Sequence, residues 1–317
     1  MADFPADLLD RPAVAAAGLV ALRYLDDATT AATRLSDRTD AEALHDFRVA
    51  VRRLRVTLRA YPGLRAGVLK KYRRRLRKLT RATNAVRDVE AQIAWFRDRS
   101  AQFTPSQRAG LSTLRSRLRA RRRRAQAHTH LKLQRGFARL ERKIRRALTA
   151  LRSEADGHEV PFRSIAAATL VKYAMDLRKR VEDTGATSAA DLHATRISAK
   201  RLRYLLEPVA RSVAHGARLT DRLKRLQDLF GALTDAHELR AELRRAAEMD
   251  EPAGITAATN LLHAEVDSLL ATLRADWSTA ALELEKEVTD AARQLHPTAV
   301  PPSNRRRPVH RRSRVPA

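Results

Sequence analysis

The chain has 317 residues, enough for one large core or two medium ones, and its 44% hydrophobic content argues against disorder. Its 63 Lys and Arg against 36 Asp and Glu leave a formal net charge of +27, which repels itself unless a polyanion or counterions neutralise it. The absence of cysteine excludes a disulfide scaffold and thiolate metal sites, and no stretch approaches the roughly 18 uncharged apolar residues of a membrane span.

Ala, Leu, Arg and Glu are abundant and Gly is scarce at 10. With no sustained period-2 run of β-branched residues, the fold class is all-α. The opening "MADFPADLLD" is acidic and lacks a basic region followed by a long apolar run, so it is no secretory signal and a cytoplasmic protein is expected. Breakers at Pro62–Gly63, Thr104–Pro105, Ser153–Pro161, Asp183–Ala190 and Asp250–Gly254 divide the chain into about eight helices. Thr39 followed by Glu42, and Thr104 followed by Pro105 and Gln107, have the form of capping boxes. From about Pro105 the helical pattern runs to Ala155, with Gly136 as its expected weak point. Residues 297–317 hold few apolar side chains and many Pro and Arg, the composition of a disordered basic tail.

The second predicted helix returns later in the chain. "LHDFRVAVRRLRVTL" from Leu44 aligns without gaps to "LHATRISAKRLRYLL" from Leu192. The alignment pairs His45 with His193, Arg48 with Arg196, Arg52 with Lys200, Arg53 with Arg201, Leu54 with Leu202 and Arg55 with Arg203. After a one-residue slip, "LRKLTRATNAVRDVE" from Leu76 aligns to "LKRLQDLFGALTDAH" from Leu223, pairing Arg77 with Lys224, Lys78 with Arg225 and Asp88 with Asp235. The expected organisation is two similar four-helix bundles related by an approximate twofold, spanning residues 1–155 and 156–296 and followed by the tail.

At 100° per residue, Leu44, Phe47, Val51, Leu54 and Leu58 form one apolar stripe. His45, Arg48, Arg52, Arg55 and Arg59 form a basic stripe about 100° round the helix. His193, Arg196, Lys200 and Arg203 repeat that stripe, with Glu207 standing where Arg59 would be expected. On the following helices, Lys71, Arg75 and Lys78, and then Arg218, Arg222 and Arg225, run beside apolar rows. A merely solvating face would mix signs for i,i+4 pairs, whereas this flank is almost purely positive.

The doubled pattern L-H-x-x-R-[VI]-x-x-[RK]-R-L-R in a basic, all-α chain resembles the CHAD family, named for its conserved histidine α-helical domain. The resemblance covers roughly residues 8–295. It implies two four-helix bundles with pseudo-twofold symmetry around a basic central channel, and binding of inorganic polyphosphate. It also implies that His45, Arg48, Arg52, Arg53, Arg55, His193, Arg196, Lys200, Arg201 and Arg203 face the polyanion. Lys71, Arg75, Arg77, Lys78, Arg218, Arg222, Lys224 and Arg225 are a second set, and Arg59 continues the stripe. Many relatives add a triphosphate-tunnel domain with an E-x-E-x-K signature. Here "LELEKE" at Leu282 places Lys286 one residue early in a helical context, so it is expected to be a surface helix and the protein a stand-alone CHAD domain.

Phosphoryl transfer usually needs carboxylates that hold Mg²⁺ and a nucleophile or positioned water. No G-x-x-x-x-G-K-[ST] loop or dense carboxylate cluster accompanies the basic rows. Asp88 and Asp235 are read as orienting neighbouring arginines, and His128 and His130, about 200° apart on a helix, make a poor metal site. The expectation is binding without turnover, with no cofactor and no metal, and binding strengthened by His45 and His193 as pH falls. The rival reading is a non-specific nucleic-acid binder acting through Arg305–Arg307 and Arg311–Arg314. Aromatic residues are only 4% and do not interleave with the basic rows, which disfavours single-strand stacking. A third reading is recruitment of partner proteins to polyphosphate granules.

Overall fold

A computed structural model describes residues 4–37, 40, 42–65, 67–153, 160–184, 189–249 and 252–296. Within them run ten α-helices: α1 (Ala13–Arg34), α2 (Ala43–Ala60), α3 (Gly67–Ala82), α4 (Asn84–Asp98), α5 (Pro105–Gly110), α6 (Ser112–Ser153), α7 (Phe162–Thr184), α8 (Ala189–Leu206), α9 (Gly216–Ala247) and α10 (Pro252–Leu295). The tail at 297–317, Thr39 and most of the breaker segments at 153–161 and 183–190 lie outside the described residues.

Ten helices arise where about eight were expected because two predicted helices are each divided. The α3–α4 run breaks at Thr83, while its repeat counterpart α9 continues for 32 residues. The run from Pro105 breaks at Leu111 and not at Gly136. The reason is packing: Gly110 and Gly254 let α5 meet the start of α10, where a Cβ on Gly254 would lie 2.6 Å from the Gln107 carbonyl oxygen. Gly136 lies inside the unbroken α6, where a Cβ would come within 3.1 Å of Leu79, so it serves the approach of α6 to α3.

The cap at Thr104 forms as its sequence indicates. Its hydroxyl accepts the Gln107 N–H at 3.2 Å and the Gln107 side chain accepts the Thr104 N–H at 2.9 Å. At the start of α2 the carboxylate of Asp40 accepts the N–H groups of Glu42 and Ala43 at 3.1 and 2.9 Å.

Helix α1 packs along α2 and α6, and α6 also covers α3 and α4; α7 and α9 flank α10, and α8 lies between α7 and α9. Across the repeat, α1 meets α7, α2 meets α8, α4 meets α9 and α5 meets α10.

Two hydrophobic cores form, and each draws on both sides of residue 155. The larger includes Leu54 and Leu58 of α2, Leu76 of α3, Leu202 of α8 and Leu223 and Leu233 of α9. The smaller joins Val89 and Phe96 of α4 to Leu114 and Leu118 of α6, Leu239 and Leu243 of α9 and Ile255 of α10. Leu54 and Leu202 are repeat equivalents and fully buried, and truncating either to Ala would cost about 2–5 kcal/mol.

Between the two cores both repeats turn more polar. Along α3 and α4 the larger core ends at Leu79 and the smaller begins at Val89, leaving Thr80, Thr83 and Asp88 between them around the buried Val86. Along α9 the larger core ends at Leu233 and the smaller begins at Ala236, leaving Thr234 and Asp235. This polar seam sits beneath the basic faces of α2 and α8.

Candidate cationic binding site

The apolar stripe of α2 turns Phe47, Val51, Leu54 and Leu58 into the core, and the same helical period carries its basic stripe over the seam. Arg48 is buried at 6% exposure, with its Nη1 donating to the Thr83 hydroxyl at the α3–α4 break. Its repeat counterpart Arg196 lies on Gly231 of α9, where a Cβ would stand 3.2 Å from Nη2. Thr83 and Gly231 are therefore neighbouring positions of the aligned repeat that cradle equivalent arginines in different ways. Asp88 lies within the field of Arg48, and Asp235 within that of Arg196, again as repeat equivalents.

The rows from the two repeats converge. Arg52 of α2 acts electrostatically on Arg48 and Arg55 of its own helix and on His193, Arg196 and Lys200 of α8. Further along, Arg55 meets the charges of Arg77 and Arg73 on α3 and of Arg201 on α8, and Arg201 meets that of Arg59.

This crowding alters the protonation of the groups involved. Burial, then the charge of Arg52, pushes Arg48 down to about 10, and burial, then Arg77, does the same to Arg55. Lys200 is pushed down to about 6 by burial, Arg196 and Arg52, against the weaker opposing pull of Asp235. Burial and the same cations lower His193 and so favour its neutral imidazole. Burial raises Asp88 from its ordinary carboxylate value despite Arg48.

Internal partners are sparse. Arg55 donates to Thr80 at 3.2 Å, but its Nε and that of Arg196 are buried without an acceptor among the described residues. No hydrogen bond or ion pair to the side chain of Arg52 or Lys200 occurs among the described residues. Asp235 engages Arg87 of α4 across the repeat at a long 3.4 Å. A set of desolvated like charges destabilises the free fold, and an external anion would relieve it.

Not every cation of the stripe joins this cluster. Arg53 grips Glu207 through Nε at 2.7 Å and Nη2 at 3.1 Å, and packs by the rings of Tyr24 and Tyr204. Arg203 donates to the same carboxylate at 2.7 Å and to Gln227 at 3.1 Å. Glu207, only 7% exposed, thus joins α2 to the end of α8 across 154 residues of chain. His45 is exposed and lines a separate cleft of about 440 Å³ between α1 and α2, with Arg23, Asp26, Asp27, Arg34 and Asp46. Lys71, Arg75, Arg77 and Lys78 stand exposed on α3, as do Arg218, Lys224 and Arg225 on α9. Arg222 is held by Glu283 at 2.7 Å and Glu287 at 2.9 Å, both in the "LELEKE" segment of α10.

Sequence reasoning missed Thr80, Thr83, Arg87, Gln227 and Gly231 as supports of the cations. The one signal available was Gly231, a glycine inside a long predicted helix, whose absence of a side chain makes room for Arg196.

The sequence profile of the CHAD domain matches residues 15–244. No curated protein sequence matches the chain. Among solved structures, the crystal structure of the CHAD domain from the plant Ricinus communis is similar, with a TM-score of 0.64 and 21% identity. The match covers 90% of this chain and 93% of that one.

Proposed function

The chain belongs to the CHAD domain family, and from that premise we propose that it binds inorganic polyphosphate along the cation cluster between α2 and α8, without turning it over. The observation that carries this reading is the convergence of both repeats on Arg52, whose field reaches Arg48 and Arg55 on its own helix and Arg196 and Lys200 on α8, with little internal neutralisation. Polyphosphate offers charged oxygens all round and no bases. Each charge-assisted hydrogen bond to it would contribute about 1.5–3 kcal/mol, so several suffice for tight binding without any readout of sequence.

In this reading residues 1–155 and 156–296 supply one wall each, and the exposed cations of α3 and α9 extend the track outward. The protein acts in the cytoplasm, where attachment to polyphosphate would carry it to granules and any associated partners.

The test is competition near physiological salt between long-chain polyphosphate and labelled duplex DNA bound to the full chain, at equal phosphate concentration. Polyphosphate is expected to displace the DNA at that equal concentration. DNA that resists displacement, while itself displacing polyphosphate, would replace this reading with a nucleic-acid one.

A further inference from the structure

Helix α6 carries fifteen Lys and Arg between Ser112 and Ser153 against one carboxylate, Glu141. Its buried row of Leu133, Phe137, Leu140 and Ile144 faces the larger core, where Phe137 stands edge-on to Phe47 of α2 with ring centroids 4.9 Å apart. Helix α6 thus meets the apolar side of α2, while the basic stripe of α2 turns toward α8. The outer face of α6 therefore lies across the larger core from the cation cluster. On that face Arg119, Arg123, Lys132, Arg139, Arg142 and Arg146 are exposed and follow one another over about 40 Å of helix. None of the six makes a hydrogen bond or ion pair among the described residues. Arg119 and Arg123, and again Arg142 and Arg146, are like charges four residues apart, a spacing that destabilises a helix until an anion answers it.

The borders of this ridge differ from its crest. Along the first half of α6, Glu242 is engaged by Arg121 at 2.9 Å and Glu90 by Gln126 at 3.4 Å. Along the second half, Glu141 and Asp26 are engaged by Arg145 at 2.7 and 2.6 Å. Only toward α3, with exposed Lys71, Arg75 and Lys78, is the border cationic. The free cations thus form a strip about one helix wide. A single anionic chain fits such a strip, whereas a duplex, wider than one helix face, would overhang the flanking carboxylates. No large apolar side chain of α6 is exposed among the described residues, so neither lipid insertion nor an apolar protein contact suits this face.

We propose that the outer face of α6 is a second polyphosphate track, separate from the α2–α8 cluster, so that one molecule holds two polyphosphate segments at once and bridges long chains. This rests on the polyphosphate reading above and goes beyond it by adding a site and a valency. Because the ridge is exposed where the cluster is partly desolvated, its contacts are weaker and more strongly screened by salt. A long chain held at either site raises the effective concentration of its own remaining length, so bridging depends on chain length.

The experiment is calorimetry and light scattering of the full chain mixed with long-chain polyphosphate at low and at near-physiological salt. Wild type should show a tight class of sites and a second, weaker class, with scattering from bridged chains that falls as salt rises. Arg123→Gln, Lys132→Gln, Arg139→Gln and Arg142→Gln together should leave the tight class within about twofold, remove the second class and reduce scattering about fivefold or more. Arg123→Lys, Arg139→Lys and Arg142→Lys together should retain both classes, which separates loss of charge from loss of fold. Arg52→Glu should weaken the tight class and retain the second. Replacing Arg305, Arg306, Arg307, Arg311, Arg312 and Arg314 with Ser should retain both. A single class in wild type, a second class that survives the four Gln substitutions, or one that disappears with the tail arginines overturns the inference and leaves the polyphosphate reading standing. Labelled duplex DNA whose binding is lost in the Gln variant, while both polyphosphate classes persist, overturns it in favour of nucleic acid on the ridge. Absence of any polyphosphate binding by folded wild type overturns both readings.

Discussion

The helix pairs α2–α3 and α8–α9 descend from the same sequence pattern and hold their cations in opposite ways. Between Gly67 and Ala82 there is no carboxylate, and the exposed face of α3 presents Lys71, Arg75, Arg77 and Lys78 to solvent. On α9 the corresponding face includes Asp221 and Asp228, and its Arg222 is held by Glu283 and Glu287 of α10. At the ends of the preceding helices the contrast repeats: α2 continues its stripe with exposed Arg59, while α8 places Glu207 there, buried and occupied by Arg53 and Arg203. A repeated scaffold thus sets the positions of charges, and the partners each half acquires decide whether those charges remain available. The first half offers a cationic surface free of carboxylates on α3; the second keeps Arg218, Lys224 and Arg225 exposed beside Asp221 and Asp228, and spends Arg203 and Arg222 on carboxylates.

The strongest way to break this comparison is at the tie. Glu207→Ala leaves Arg53 and Arg203 without their shared carboxylate in a buried setting, and should destabilise the fold by about 3–5 kcal/mol in chemical denaturation. A loss under 1 kcal/mol would show that α2 and α8 are held by their apolar contacts alone. Next comes the residue where the two walls meet. Arg52→Glu should weaken polyphosphate binding on the order of 100-fold by calorimetry with stability little reduced, because it replaces an unpaired cation with an anion beside Arg196 and Lys200. The smallest effect sharpens the contrast itself. Replacing Lys71, Arg75 and Lys78 with Ala should reduce affinity by about tenfold and flatten its salt dependence. The matched replacement of Arg218, Lys224 and Arg225 should cost only about threefold. Equal losses would mean that the two faces serve the ligand alike.

Much of the site is legible in the sequence. The period of 3.6 places Arg48, Arg52 and Arg55 on one strip of α2, and Arg196 and Lys200 on the matching strip of α8, and these are residues that converge. Glu207 is visible as a departure from the repeat, but its capture of Arg53 is not, because those residues are 154 positions apart and periodicity is silent about distance between helices. His45 and His193, equivalent in the alignment, separate in space, one into the α1–α2 cleft and the other toward Arg196 and Lys200. The break at Thr83 escapes detection for a related reason. Threonine is tolerated inside helices, and only the approach of Arg48 gives its hydroxyl a role there.

By itself the sequence determined the helical class, the duplicated motif, the cap at Thr104 and which face of each helix is cationic, since all of these follow from local propensity and from the angle each residue subtends on its own helix. The tertiary structure alone decided which cations are spent on carboxylates and which stay unpaired. It also decided that the two cores leave a polar seam beneath α2 and α8, and that the half-buried Lys200 comes within the field of Arg196 and Arg52. Those outcomes depend on how closely separate helices approach, and the field at an amine is set by charges that reach it through space and not along the chain.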